Sequence, residues 1–240
     1  MMQNRIVPAG LPDERRDGGG TRRAGEGDGA VLNREGRNRI RVLGITGGVG
    51  AGKSTVLAYL EQKYHAHLIV CDEAAKQLQQ PLGACYGPML ELFGPGVLRP
   101  DGQFDRGKVA ALIFAQKELR ERLNQIVHPA VKQYVREEIR RLAKKESPPL
   151  IVIEAALLLE EHYEQICDEI WYVYAPETVR RRRLQESRGY SEEKIVQVMR
   201  SQLSEEAFRK RCQFVVDNGG DLVENTYEQI DEGLRKHGFL

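Results

Sequence analysis

The sequence predicts an α/β chain: a five-stranded parallel sheet in a three-layer sandwich, extended by a helical insertion and a lid. Three observations carry that reading. A glycine-rich loop, Gly47 to Ser54, stands between a short apolar strand and an amphipathic helix. Leu150-Ile151-Val152-Ile153 is a continuous apolar run without polar alternation, the mark of a strand buried on both faces. Strand-like runs then alternate with helical patterns along the chain, which is how parallel sheets are built.

The loop fixes the starting point. Gly47-Gly48-Val49-Gly50-Ala51-Gly52-Lys53-Ser54 fits G-x-x-x-x-G-K-[ST], the phosphate-binding P-loop. Glycines let the backbone curl so that successive N–H groups converge on phosphate oxygens. Lys53 supplies a mobile cation for the β- and γ-phosphates, and Ser54 offers a hydroxyl to Mg2+. Four specified positions arise by accident in a chain of this length on the order of 1% of the time. Context reduces that further. Arg41 to Thr46 reads as the strand before the loop. After it, Thr55 continues a helix with Val56, Leu57, Leu60 and Tyr64 on one side.

Bulk numbers set the bounds. The chain has 240 residues, 41% hydrophobic and 30% charged, ordinary values for one large or two small globular domains. A net charge of +1 gives no argument for nucleic acid or an anionic membrane. No apolar run approaches the ~20 residues of a membrane span. Cys71, Cys85, Cys167 and Cys212 show no metal-ligand spacing, so reduced cysteines in a cytoplasmic protein are expected.

Residues 1–38 carry Gly18-Gly19-Gly20 and paired arginines but almost nothing apolar, and are expected to be disordered. Acidic residues interleave with the arginines and no aromatic is present, which favours a solvated extension over an RNA-binding tail. The folded domain is expected over 39–240. A second strand, His67 to Cys71, delivers Asp72 at its C-terminal end, the end that faces the ligand crevice in open α/β sheets. Asp72 is equally suited to cap the helix from Glu73 to Gln79.

Residues 73–146 are mostly helical and too long for a simple crossover, so they read as an inserted subdomain over the crevice. One helix there starts at Arg106 and carries Val109, Leu112, Ile113 and Phe114. Another runs from Lys117 to Val127, His128-Pro129 interrupts, and a longer one carries Val131, Tyr134, Val135, Ile139 and Leu142. Ser147-Pro148-Pro149 stops it. The Leu150 strand ends at Glu154, a carboxylate where P-loop proteins often place an acid near the metal; a strand-end charge facing solvent is the other reading.

Glu169 to Tyr174 is the fourth strand and Gln213 to Asp217 the fifth. Between them, 176–200 reads as the lid. Its helix carries Arg180-Arg181-Arg182-Arg183 and then Arg188. Four consecutive arginines span more than a helix turn, so only one or two can face a phosphate. Ser191 caps the next helix, and Asp221 with Glu224 reads as a capping box for the last.

Together these pieces resemble the dephospho-coenzyme A kinase family over about 40–240. The resemblance rests on the loop from Thr46, on Asp72, Phe104-Asp105-Arg106 and Ile126-Val127-His128-Pro129. It continues in Leu157-Leu158-Leu159-Glu160, Arg183-Leu184, Gln202 and Asp217-Asn218-Gly219. Where the family usually has Asp-Ala-Asp, this chain has Val70-Cys71-Asp72. Ala156 replaces a proline, Cys212-Gln213 replace Ala-Asp, and the lid is about one residue longer between Arg183 and Arg188. The pattern is that of a divergent branch.

The resemblance implies ATP-dependent phosphorylation of the ribose 3′-hydroxyl of dephospho-coenzyme A, the final step of coenzyme A biosynthesis. It implies Asp72 as base, Lys53 and Arg188 on the transferring phosphoryl group, and Gly47 to Thr55 with Asn218 and Gly219 on ATP. Arg106 and His128 fall on the acceptor side, and Ser54 with Glu154 on Mg2+. A P-loop kinase for a nucleoside or nucleoside monophosphate is the alternative. A GTP switch would need an Asn-Lys-x-Asp motif, and the sequence has no Asn-Lys pair.

Overall fold

The computed structural model describes residues 40–144 and 150–240. The extension over 1–38 and the Ser147-Pro148-Pro149 stop lie outside the described residues. The strands are β1 (Arg41–Thr46), β2 (His67–Val70), β3 (Leu150–Glu154), β4 (Glu169–Tyr174) and β5 (Phe214–Asp217). They form one sheet in the order β2-β3-β1-β4-β5, parallel at every neighbouring pair. Helix α1 (Lys53–Tyr64) joins β1 to β2. Between β2 and β3 come α2 (Cys71–Leu78), α3 (Tyr86–Phe93), α4 (Arg106–Ala115) and α5 (Lys117–Ala143). Helices α6 (Glu177–Arg188), α7 (Glu192–Arg200) and α8 (Glu205–Arg211) separate β4 from β5, and α9 (Val223–Lys236) follows.

The strand periodicity makes the layers. In β3, Ile151 and Ile153 face a cluster built with Val131 and Val135 of α5 and Phe208 of α8. Leu150 and Val152 face the opposite cluster, with Val56 and Leu60 of α1 and Ile230 and Leu234 of α9. All four are buried, as the uninterrupted apolar run requires. Trp171 and Val173 of β4 join the second cluster, Ile170 and Tyr172 the first. This is the three-layer sandwich.

Three local expectations are corrected. His128-Pro129 does not interrupt: α5 runs unbroken from Lys117 to Ala143 with Pro129 inside it. The proline removes one intrahelical donor. Val127, Val131 and Val135 on either side of it are all buried against the insertion core, and that packing outweighs the defect. The capping box at Asp221 fails as well. Helix α9 begins at Val223 with Leu222 at its cap and no side-chain bond, which puts Asp221 a residue too early. Phe114 is 84% exposed, whereas Val109 one and a half turns earlier is buried. The α4 stripe is narrower than its sequence suggests.

Candidate active site

In a parallel sheet every strand points its C-terminus at one edge, so the residues that follow the strands assemble there. The loop leaves β1 at Thr46 and passes into α1 at Lys53. Gly47 takes φ 150° and a side chain on it would collide with the Val173 carbonyl of β4. Gly52, the residue before α1, takes φ 85°, a left-handed backbone where a Cβ would strike the Asn218 amide. Only glycine fits either place.

The carbonyls of the loop are held from outside. Asn218, 5% exposed, donates Nδ2 to the Ala51 carbonyl at 2.8 Å and to that of Gly52 at 3.4 Å, while its Oδ1 accepts from Thr226 at 3.1 Å. Arg183 donates to the Ala51 carbonyl at 3.3 Å and to the Asn218 carbonyl at 2.9 Å. In a trans peptide the C=O and the next N–H point in opposite directions. Carbonyls fixed outward therefore aim the amides of Gly52 and Lys53 into the concavity of the loop. Thr55 closes the turn by donating its N–H to Gly52 at 3.0 Å. Ser54 is exposed on the first turn of α1.

Lys53 folds back over the loop. Its Nζ donates to the Gly47 carbonyl at 3.0 Å and lies 3.6 Å from Glu154 Oε1. Glu154 closes β3 in register with Ile45 of β1 and Val70 of β2. Burial pushes the Glu154 carboxyl above its ordinary range; Lys53 pulls it back, and the neighbouring Asp72 charge pushes it up again. A cation and two carboxylates thus share the edge directly above the loop.

Asp72 is not a cap. The cap position of α2 is Val70, with no side-chain bond, and Asp72 is the exposed second residue of the helix. It lies near enough to Glu154 for its charge to act on that carboxyl. Cys71 beside it is buried, donates to the Tyr163 hydroxyl at 3.6 Å, and has its thiol pushed up to about 11 by burial, so it is inert.

The insertion contributes a second group. His128 and Lys132, one turn apart on α5, share Glu161: Nδ1 to Oε1 at 2.7 Å and Nζ to Oε2 at 2.9 Å. Burial works to raise the Glu161 carboxyl, and Lys132 with His128 outweigh it, leaving it below its usual range. Arg106 is the exposed first residue of α4, whose cap Asp105 accepts from the Gly107 and Lys108 amides.

The arginine run divides as helical spacing demands. Arg180 and Arg183, three apart, both reach the loop. Arg181 pairs with Glu177 and Glu192, and Arg182 is exposed. Arg188, at the C-terminus of α6, is exposed, its guanidinium 5.9 Å from the Tyr190 ring centroid. Among the described residues neither Arg188 nor Arg106 bonds to the loop. Sequence reasoning missed Arg180, Lys132 and Glu161. The i, i+3 spacing of Arg180 to Arg183 was the available signal for the first, and the i, i+4 spacing of His128 to Lys132 for the second.

Comparison with known proteins gives one family. Residues 41–224 match the model described as dephospho-CoA kinase. The chain is 35% identical over 197 residues to the dephospho-CoA kinase of Carboxydothermus hydrogenoformans, covering 82% of this chain and 94% of that one. It is 38% identical over 181 residues to that of Moorella thermoacetica, covering 75% and 85%. A crystal structure from Thermus thermophilus superposes with a TM-score of 0.70 at 30% identity, over 82% of this chain and 97% of the other. The dephospho-CoA kinase of Campylobacter jejuni gives 0.61 at 19% identity over 82% and 98%, a likeness of fold.

Proposed function

The chain belongs to the dephospho-CoA kinase family, and from that premise we propose how its residues divide the work. It is a dephospho-CoA kinase of coenzyme A biosynthesis and uses ATP. The acceptor is the ribose 3′-hydroxyl. That oxygen attacks the γ-phosphorus, the bond from γ-phosphorus to the β-bridging oxygen breaks, and the hydroxyl proton passes to Asp72. ADP departs.

A ribose hydroxyl is a weak nucleophile, and an exposed carboxylate at the crevice orients it and accepts its proton. The amides of Gly47 to Thr55 cradle the triphosphate, with Asn218 and Gly219 on the ATP side, Asn218 acting through the loop carbonyls it holds. Lys53 leaves its resting place between Gly47 and Glu154 for the γ-phosphate, where charge builds in the loose transition state. Arg188 comes down with the lid onto the same phosphate and keeps water out. Arg106 and His128 receive the acceptor.

Mg2+ fits the residues present. Among the described residues no three His, Cys, Asp or Glu cluster to hold an ion alone. Mg2+ asks for less: a hydroxyl or a single carboxylate suffices when ATP supplies phosphate oxygens. Ser54 and Glu154 would hold it, and the ion would neutralise charge on the β- and γ-phosphates. No described helix is long and apolar enough to cross a membrane. The four cysteines are free, which supports a cytoplasmic location.

The observation that carries the assignment is the placement of Lys53 between the Gly47 carbonyl and Glu154, above amides aimed into the loop. The test is a panel: purified protein and MgATP with dephospho-coenzyme A, nucleosides or nucleoside monophosphates, products identified by mass. Phosphate transfer to dephospho-coenzyme A in preference to every other acceptor is expected. Preferred transfer to a nucleoside monophosphate would overturn the acceptor assignment.

A further inference from the structure

The tip of the loop is held by a contact that the chemistry above does not use. Arg180, on the first turn of α6, donates Nε to the Val49 carbonyl at 2.9 Å. Its Nη2 donates to Gln202 Oε1 at 3.0 Å, and the same oxygen accepts the Val49 N–H at 3.0 Å. One oxygen therefore serves two donors, and both polar groups of Val49 are fixed. The guanidinium covers Gly48, where a Cβ would run into it.

The bonds have a direction. The Val49 carbonyl points outward to Arg180, so the Gly50 amide, across the same trans peptide, points inward. The Val49 amide points outward to Gln202, so the Gly48 carbonyl turns inward, where it accepts from Ala51 at 3.1 Å. Gly50 takes φ 80°, a conformation with ready alternatives for glycine. Unclamped, the Val49–Gly50 peptide is free to flip and withdraw one amide from the phosphates.

Arg180 is costly for a purely structural role. It is half-buried, burial holds its pKa below the ordinary value, and among the described residues it is in no salt bridge. Glu177 on its own helix and Glu205 of α8 act on it only through space, and Tyr172 of β4 faces it. A desolvated cation bonded to neutral acceptors beside a triphosphate cradle is best explained by what it aims.

We propose that Arg180 and Gln202 form a clamp that positions the Gly50 amide of the loop for ATP. Arg180 is a positioning residue, acting through Val49. The inference rests on the reading of Gly47 to Thr55 as the triphosphate cradle.

The test measures KM for ATP, KM for dephospho-coenzyme A, kcat and direct MgATP binding on the full chain. Arg180→Met keeps the aliphatic stem and removes the donors; Gln202→Leu removes the shared acceptor. Each is expected to weaken ATP binding and raise its KM by about 10-fold, the scale of a charge-assisted hydrogen bond. KM for dephospho-coenzyme A is expected to stay within twofold. The double variant is expected to be no worse than the poorer single one, since either change breaks the same clamp.

Arg180→Lys, which still donates to the Val49 carbonyl, is expected to recover part of the loss, and it carries the test if Arg180→Met does not fold. An unchanged ATP KM in both Arg180→Met and Gln202→Leu would overturn the clamp. So would additive losses in the double variant, or a loss confined to kcat. If Lys53→Ala remained active, the cradle itself would be wrong; an inactive Lys53→Ala beside an unaltered Arg180→Met removes the clamp alone.

Discussion

The two sides of the crevice that we assign to the nucleotide and to the acceptor are built differently. Around the loop, Arg180, Arg183, Gln202 and Asn218 reach in from three separate segments and bond to backbone carbonyls and amides. On the insertion, His128 and Lys132 are joined by the one carboxylate of Glu161 and Arg106 is exposed, as is Asp72 just ahead of the insertion. Backbone held by many partners makes a rigid cradle for a phosphate chain common to many enzymes. Side chains held by one shared partner make an adjustable surface, which suits the acceptor role proposed for them. Rigidity belongs to the shared chemistry and freedom to the specific one.

Lys53→Ala is the sharpest way to break the nucleotide side. Turnover is expected to fall by ~10²–10³-fold, with the melting temperature little changed. Steady-state kinetics beside a thermal melt decide it, and a variant keeping a tenth of the activity contradicts the assignment.

Asp72→Asn asks the same of the acceptor side. Since Asp72 is no cap, the helix loses only a favourable charge near its N-terminus, ~0.3–1 kcal/mol. Turnover is expected to fall by roughly 10²-fold while ATP binding holds. Val70 stands where a second acid would stand in the family, so nothing two residues away substitutes. Full activity in this variant would leave Glu154 as the next carboxylate to try.

Glu161→Gln sharpens the contrast between the two sides. KM for dephospho-coenzyme A is expected to rise several-fold with KM for ATP unmoved. Stability should fall by ~1 kcal/mol at neutral pH. The Glu161 carboxyl is depressed in the fold, so its contribution is present above the unfolded pKa near ~4.3 and is lost as pH falls through the lower folded value. Melts of the two proteins should therefore converge as pH falls below that folded value. Divergence that persisted in acid would mean the amide disturbs packing instead.

The smallest effect is expected outside the cradle. Leu82, between α2 and α3, is fully exposed at φ 73°. A leucine there carries left-handed strain and buries nothing, so Leu82→Gly is expected to stabilise by up to ~1 kcal/mol without altering either KM. Destabilisation would show that Leu82 packs on something in solution. Deleting residues 1–38 is expected to leave both activity and melting temperature unchanged.

The same contrast explains what the sequence disclosed. The loop could be read directly because glycine is demanded at Gly47 and Gly52 by backbone geometry, which local sequence records. The strands were legible because a strand buried on both faces has to be apolar throughout. Pro129 misled because propensity is local, whereas the packing of Val127, Val131 and Val135 that overrides it is not. Asp72 was expected directly after a strand running to Cys71; the strand stops at Val70 and Asp72 is the second residue of α2. Cap and crevice ligand look alike until the helix start is fixed to the residue. Gln213 stood out in the sequence only as a departure from the family pattern. It pairs with the Ile170 backbone at the opposite end of the sheet, accepting at 2.7 Å and donating at 2.9 Å.

The props of the loop also bear on how the protein comes into being. The motif occupies consecutive residues, yet Arg180 bonds to it across 131 positions, Gln202 across 153 and Asn218 across 167. β1 itself lies between β3 and β4, strands that follow it by a hundred residues or more. Contacts so distant in sequence form slowly, because long loops must close before any reward appears. On the ribosome, β1 and the glycines emerge early and wait without neighbours until nearly the whole chain is made. Nucleotide binding is thus among the last properties the folding chain acquires, and a chain stopped before Arg180 carries the whole motif without any of the braces that shape it.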